Sequence, residues 1–259
     1  MKKNTLQTLE NSIKVLKLFS PTKSEFTLTE FHKELNLSMP SLQRILKTLV
    51  QEGMLEKDSE TKDYRLGLEL YFLGRLVENK SRLITISQKY MKELNQKTEE
   101  AITLNIINQN KRQCIEYISA KHELTTVASI SNESPLYAGA SAKVLLAFMQ
   151  EDEREDYLNN IEFKKITKHT IINKDDLLKE LKEIRKNEYS ITESERVFGV
   201  FAISTPIINR FDEIIASITI TIPSVRVNKS IKEFYIDLAS KYAKLISKEL
   251  EGDTTLQLN

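Results

Sequence analysis

The sequence has a single cysteine, Cys114. An internal disulfide and a cysteine-based zinc or iron–sulfur site are therefore excluded, and a reducing compartment fits. The histidines, His32, His122 and His169, lie far apart with no metal-ligand spacing, so no metal and no other cofactor is expected. No run of about 18 apolar residues is present to span a bilayer, and the first residues lack the apolar region of a signal peptide. A cytoplasmic location is the expectation. Nor is there an excess of one charge: 38 Lys and Arg against 37 Asp and Glu give a formal net charge of +1. A protein that coats nucleic acid non-specifically needs a basic excess, so any affinity for DNA must come from where the charges sit.

What is present is a chain of 259 residues, 40% apolar, long enough for two domains with cores of their own. Its most informative stretch runs from Leu37 to Val50. Leu42, Ile45, Leu46, Leu49 and Val50 recur at three- and four-residue steps and form one stripe to be buried. The other face carries Met39, Ser41, Gln43, Arg44 and Lys47, and there is no Asp or Glu between Asn36 and Gln51 to repel a polyanion. Ser38 stands at the N-cap and Pro40 in the first turn, which marks the start of the helix.

The flanking segments give this helix a context. Leu6, Leu9, Ile13, Leu16 and Phe19 follow helical spacing over residues 5–19. Thr27-Leu28-Thr29-Glu30 has the form of a capping box and opens a short helix through Leu35, with Phe31 and Leu35 facing inward. The tight turn at Asn36-Leu37 then makes a helix-turn-helix. Beyond Gly53, residues 54–57 and 63–66 read as two short strands around the polar loop 58–62. Three helices and a hairpin predict a winged helix, with the wing, including Lys62, touching backbone or minor groove.

Thr5-Leu6, Asn36-Leu37-Ser38, Arg44-Ile45-Leu46-Lys47-Thr48-Leu49, Gly53 and Tyr64-Arg65-Leu66-Gly67 together resemble the IclR family of bacterial transcription regulators, and the match continues to the C-terminus. The resemblance implies an α+β protein with a winged helix-turn-helix domain over residues 1–66 and a linker helix and hinge over 67–81. It further implies a GAF-like effector-binding domain with an antiparallel sheet over 82–252, followed by a flexible tail over 253–259. It also implies binding of operator DNA as a dimer or dimer of dimers, usually in repression of a catabolic or metabolic operon. Carried over, Ser38, Met39, Ser41, Gln43, Arg44 and Lys47 face DNA. Arg44 suits phosphate or the O6/N7 edge of guanine, Gln43 suits adenine, and Lys47 suits phosphate.

Residues 67–77 are apolar on more than one helical face, which calls for burial on more than one side; with the dimer that the resemblance implies, these sides are read as the winged helix itself and a second copy. Asn79 to Arg82 read as a polar hinge. A helix over residues 83–94 precedes apolar runs at 101–107, 113–119 and 125–130, read as antiparallel strands. Residues 134–148 pass from a small-residue loop into an apolar helix, whose N-terminal N–H groups favour an anion. Helices follow at 151–158 and 175–186, strands at 200–208 and 214–222, and a long helix at 229–250.

The resemblance implies an effector pocket built from the small-residue loop, an acid ahead of a Gly-Val motif, a cysteine after it, and a hydroxyl pair. Here Ala140 and Ser141 keep the loop and Gly199-Val200 keeps the motif, but Thr192 replaces the acid and Ala202 the cysteine. Thr219 and Thr221 supply hydroxyls on one strand face. The pocket so read is polar and uncharged; a small organic acid is the first expectation, and a bulkier or more apolar effector, or an unused pocket, fits the two losses equally. Lys143 reads as lying on the outer face of its helix, Glu193 and Glu195 as a solvated loop, and Cys114 as a buried structural thiol. The rival reading is an enzyme or metabolite carrier whose winged helix serves protein contacts. The acid-free stretch argues against it, and no catalysis is expected.

Overall fold

The computed structural model describes residues 6–20, 23–124 and 133–251, with no side-chain description at 78–80. The chain divides into two compact units between Ser81 and Arg82. The first unit runs α1 (Gln7–Lys17), α2 (Leu28–Leu35), α3 (Met39–Gln51), β1 (Leu55–Lys57), β2 (Tyr64–Leu66) and α4 (Leu68–Lys80).

The capping box forms: the Glu30 N–H donates to Thr27 Oγ1 at 3.2 Å and the Thr27 N–H donates to the Glu30 carboxylate at 2.8 Å. The stripe of α3 is the centre of this unit's core. Leu42, Ile45, Leu46 and Leu49 pack with Val15, Phe26, Phe31, Leu55 and Tyr64, each large side chain contributing about 1.5–3 kcal/mol on burial. Asn36, in the left-handed conformation, ends α2, and His32 Nδ1 lies 2.6 Å from the Leu37 carbonyl across the turn into α3. Ser38 occupies the N-cap, yet its hydroxyl makes no capping bond. Pro40 at the second helical position has no N–H to offer it.

Two other expectations fail in this unit, the first in part. The α1 stripe divides: Leu16 and Phe19 pack against the core beside Val15, whereas Leu6 is 75% and Leu9 57% exposed. Helix α4 does not bury itself on the winged helix: Leu68, Tyr71, Phe72, Leu73, Leu76 and Val77 are all exposed. Asn79 and Lys80 continue α4, so the break before α5 (Arg82–Thr98) falls at Ser81.

At the base of the wing, β2 leaves through Gly67, whose N–H donates to the Met54 carbonyl at 2.9 Å. A Cβ at Gly67 would stand 2.0 Å from the Gly53 carbonyl oxygen, so only glycine allows this approach. Gly67→Ala is expected to cost about 1–3 kcal/mol in urea denaturation of the full chain, as overpacking does. An unchanged midpoint would show that the two backbones part freely.

The second unit continues with β3 (Ala101–Asn108), β4 (Lys111–Ile118), β5 (Glu133–Pro135), α6 (Ala140–Phe148), α7 (Glu151–Asn160), α8 (Lys174–Asn187), β6 (Ser190–Glu193), β7 (Val200–Ile208), β8 (Ile214–Pro223) and α9 (Lys229–Glu251), with a 3-10 turn at Ser224–Arg226. Its sheet has the order β5-β4-β3-β8-β7-β6, every neighbouring pair antiparallel. The strand expected at 125–130 and the tail at 253–259 lie outside the described residues. Ser134 and Pro135, read as loop, belong to the edge strand β5, and β6 was not anticipated; both strands are too short for an alternating pattern to show.

The central strands divide their side chains by the two-residue period of the pleat. Ile102, Leu104, Ile203, Ile218, Ile220 and Ile222 pack with Met91 and Leu94 of α5 and Leu238, Tyr242 and Ile246 of α9. The alternate positions are polar or small: Thr103 and Asn105 on β3, Ala202 and Ser204 on β7, and Ser217, Thr219 and Thr221 on β8. Of these, Thr103, Asn105, Ala202, Thr219 and Thr221 line a cavity together with the start of α6.

Candidate functional sites

In the first unit the burial of Leu42, Ile45, Leu46 and Leu49 turns Gln43, Arg44 and Lys47 to solvent, with Ser38, Met39 and Pro40 exposed at the helix start and Ser41 half-buried. Helix α3 carries no acidic residue. The wing loop is held by Asp58, whose Oδ1 accepts the N–H groups of Glu60 and Thr61 at 2.8 and 2.9 Å. Those backbone bonds hold its carboxyl below the usual aspartate range. Lys62, left-handed at φ 66°, returns its ammonium to the Ser59 carbonyl within the same exposed loop. The wing thus has a fixed backbone with an exposed cation at its tip.

In the second unit all six residues singled out from the sequence, Ala140, Ser141, Thr192, Ala202, Thr219 and Thr221, line one cavity of about 330 Å³. That volume is at the small end for ligand pockets. Register explains the meeting: Thr192 faces Ala202 across β6 and β7, Ala202 faces Thr221 across β7 and β8, and Thr103 faces Thr219 across β3 and β8. Helix α6 starts at the cavity after Gly139, which takes φ 91°. The Ala140 N–H donates to Thr192 Oγ1 at 3.2 Å, so the hydroxyl that replaces the acid accepts from the helix end and keeps its own O–H to donate.

The cavity is not uncharged. Arg112 on β4 and Arg196 in the β6–β7 turn both line it. Arg112 is only 3% exposed; its Nε donates to Ser134 Oγ at 3.0 Å and its Nη1 to Asn105 Oδ1 at 3.1 Å. Asn105 Nδ2 donates in turn to Thr103 Oγ1 at 3.1 Å and Thr219 Oγ1 at 3.3 Å, and Thr219 Oγ1 lies 2.9 Å from Ser204 Oγ. Burial, and then the neighbouring positive charge of Arg196, bring Arg112 down to about 10. Burial also lowers Arg196. Periodicity could have found Arg112, which sits at an inward position of β4 two residues before the buried Cys114. Arg196 lies in a turn, where no pattern assigns a side chain to a side.

Two other sequence readings are corrected beside the cavity. Lys143 is 1% exposed and Glu195 5%. The Lys143 ammonium is bonded to Glu195 Oε2 at 2.6 Å and also to Glu180 on α8. Lys143 looked like a surface residue because a buried lysine is rare unless paired, and its partners lie 37 and 52 residues away. Burial raises the Glu195 carboxyl against the lowering pull of Lys143. Cys114 is buried as expected, its Sγ donating to the Glu116 carbonyl at 3.3 Å, and burial raises its thiol. Among the described residues no His, Cys, Asp and Glu group forms a metal-binding cluster, and no helix is long and apolar enough to cross a membrane. Lys143→Ala would leave two carboxylates without their cation and is expected to cost about 3–5 kcal/mol in urea denaturation. A loss under about 1 kcal/mol would mean that water reaches this cluster freely.

Comparison with known proteins agrees with both units. A model of the IclR helix-turn-helix domain matches residues 8–59, and one of the bacterial transcriptional regulator IclR C-terminal region matches residues 77–248. The transcriptional regulator KdgR of Dickeya chrysanthemi is 29% identical over 241 residues, covering 91% of this chain and 79% of that protein. The crystal structure of an IclR-type regulator from Alicyclobacillus acidocaldarius superposes with a TM-score of 0.87 at 19% identity, covering 94% of this chain and 98% of that one. An IclR homologue from Microbacterium hydrocarbonoxydans, solved with 4-hydroxybenzoate, superposes with a TM-score of 0.83 at 20% identity, covering 94% of this chain and 99% of that one.

Proposed function

The chain belongs to the IclR family of bacterial transcriptional regulators, and on that footing we propose which of its residues read DNA, which hold the effector, and how the two are joined. It is an effector-responsive DNA-binding regulator and not an enzyme or carrier.

The DNA face is α3 with the wing. Arg44 and Lys47 meet phosphate or guanine, Gln43 reads a base edge, and Ser38, Met39, Ser41 and Lys62 flank the contact. The observation that carries this is an exposed helix face with two cations and no acid, opposite a fully packed stripe. The effector is a small organic anion bound in the second-unit cavity by Ala140, Ser141, Thr192, Ala202, Thr219 and Thr221. The guanidiniums of Arg112 and Arg196 support this reading, since they offer a carboxylate more than the helix N-terminus does.

The oligomer is a homodimer, or a dimer of such dimers, formed through the exposed apolar faces of α1 and α4. Leu6 at the start of α1, Leu9 and Ile13 on it, and Tyr71, Phe72, Leu76 and Val77 on α4 are exposed large apolar side chains, the kind that a second copy can cover. Two half-sites on DNA call for the same symmetry. An effector that binds one dimer geometry better shifts operator affinity through the α4–α5 junction, and repression is the default sign. The protein works in the cytoplasm, where its operator lies.

Arg44→Ala with Lys47→Ala is expected to weaken binding to operator DNA at least tenfold and to lower the slope of log affinity against log salt by about 2 for each protomer bound, hence by about 4 for a dimer on two half-sites. Unchanged affinity and slope would place the DNA face elsewhere. In the same assay Ser141→Trp should keep DNA binding and lose effector response, because an indole fills the cavity. A retained response would put the effector outside it.

A further inference from the structure

The cavity of the second unit is polar in its depth and apolar at its opening. Thr103, Asn105, Thr192 and Thr219 line it with hydroxyls and an amide, and each is more than nine-tenths buried. The lining residues most open to solvent are all apolar: Leu124 is 59%, Val197 48% and Phe198 78% exposed. Val200 and Ala202, half-buried on one face of β7, continue this apolar surface inward. Phe198 is held in place by its backbone. The Gly199 N–H donates to Ser194 Oγ at 3.0 Å, the Ser194 N–H to the Val200 carbonyl at 2.7 Å, and the Ser224 N–H to the Gly199 carbonyl at 2.8 Å. A single exposed apolar residue is ordinary on a protein surface, but three around one opening form a patch. Charge alone does not set the ligand's class, because the cavity carries the carboxylate of Glu195 as well as the guanidiniums of Arg112 and Arg196.

Resting on the effector reading above, we propose that the effector is an amphipathic acid, one carboxylate head on an apolar body, and that Phe198 selects for that body. The head lies in the polar depth of the cavity, and the body runs outward past Ala202 and Val200 to Val197 and Phe198. A ligand so placed takes the exposed phenyl ring and its neighbours out of water. An acid of equal length with hydroxyls along its body would set them against these apolar side chains. Each such hydroxyl would give up its water without gaining a partner.

The test is calorimetric binding of three carboxylates to the full-length protein: hexanoate, benzoate, and gluconate, which keeps the head and length of hexanoate but carries hydroxyls along its body. At least one of the first two should bind about tenfold or more tightly than gluconate, and which one does tells an aliphatic from an aromatic body. Phe198→Ser should reduce that preference at least fivefold with the thermal melt unchanged, and Phe198→Leu should restore most of it. The chain has no tryptophan, so Phe198→Trp introduces a sole indole, whose emission should shift to the blue as the preferred acid saturates the protein. Gluconate binding as tightly as the other two, or a preference that survives Phe198→Ser, overturns the assignment while leaving the effector cavity in place. If none of the three binds, the assignment falls too. An emission that moves with protein concentration and not with ligand would show that a second copy covers Phe198, which also overturns it. If the preferred acid binds the Ser141→Trp variant as well as the parent, the cavity is the wrong site and the effector reading falls with it.

Discussion

Helix α3 and the large sheet each give one face to a core, and the residues left for ligands are those the core does not take. In α3 the helical period sends Leu42, Ile45, Leu46 and Leu49 inward and so fixes the outward bearing of Gln43, Arg44 and Lys47. In the large sheet the two-residue period sends Ile102, Leu104, Ile203, Ile218, Ile220 and Ile222 to α5 and α9. The same alternation leaves a continuous field of Thr, Asn and Ala on the opposite face. A slip of one residue in β8 would bury Thr219 and Thr221 and expose the isoleucines, so cavity and core are specified together.

Electrostatics then distinguish the two surfaces. On α3 a pair of exposed cations works in high dielectric and at long range, which suits attraction of a polyanion. In the cavity Arg112 and Arg196 act over a short range with little water, where charge and geometry select one ligand. The Lys143 cluster ties α6 to α8 and to the β6–β7 turn through Glu180 and Glu195 Oε2, and it leaves Glu195 Oε1 buried with no hydrogen-bond partner among the described residues.

Much of this was legible in the residues. The winged helix, the capping box, the long strands β7 and β8, and the last helix follow from period and capping chemistry that act locally. Thr192 and Ala202 are marked out by the family resemblance, and the register of β6, β7 and β8 accounts for their meeting with Thr219 and Thr221. What was not legible depends on tertiary neighbours. The pairing of Lys143 with Glu180 and Glu195 spans distant segments, and Arg196 sits in a turn with no period. The α4 stripe and the first half of the α1 stripe have the pattern of buried faces yet are exposed within their own unit. Short strands such as β5 and β6 carry too few residues to announce themselves.

The most direct measurement is the affinity of the purified protein for DNA from upstream of its own and adjacent genes, at several salt concentrations and with unrelated DNA competing. The account predicts retention on at least one fragment that survives competition and falls steeply as salt rises, with a log–log slope that counts phosphate contacts. Binding that ignores sequence, or a specific complex whose affinity does not change with salt, would contradict it.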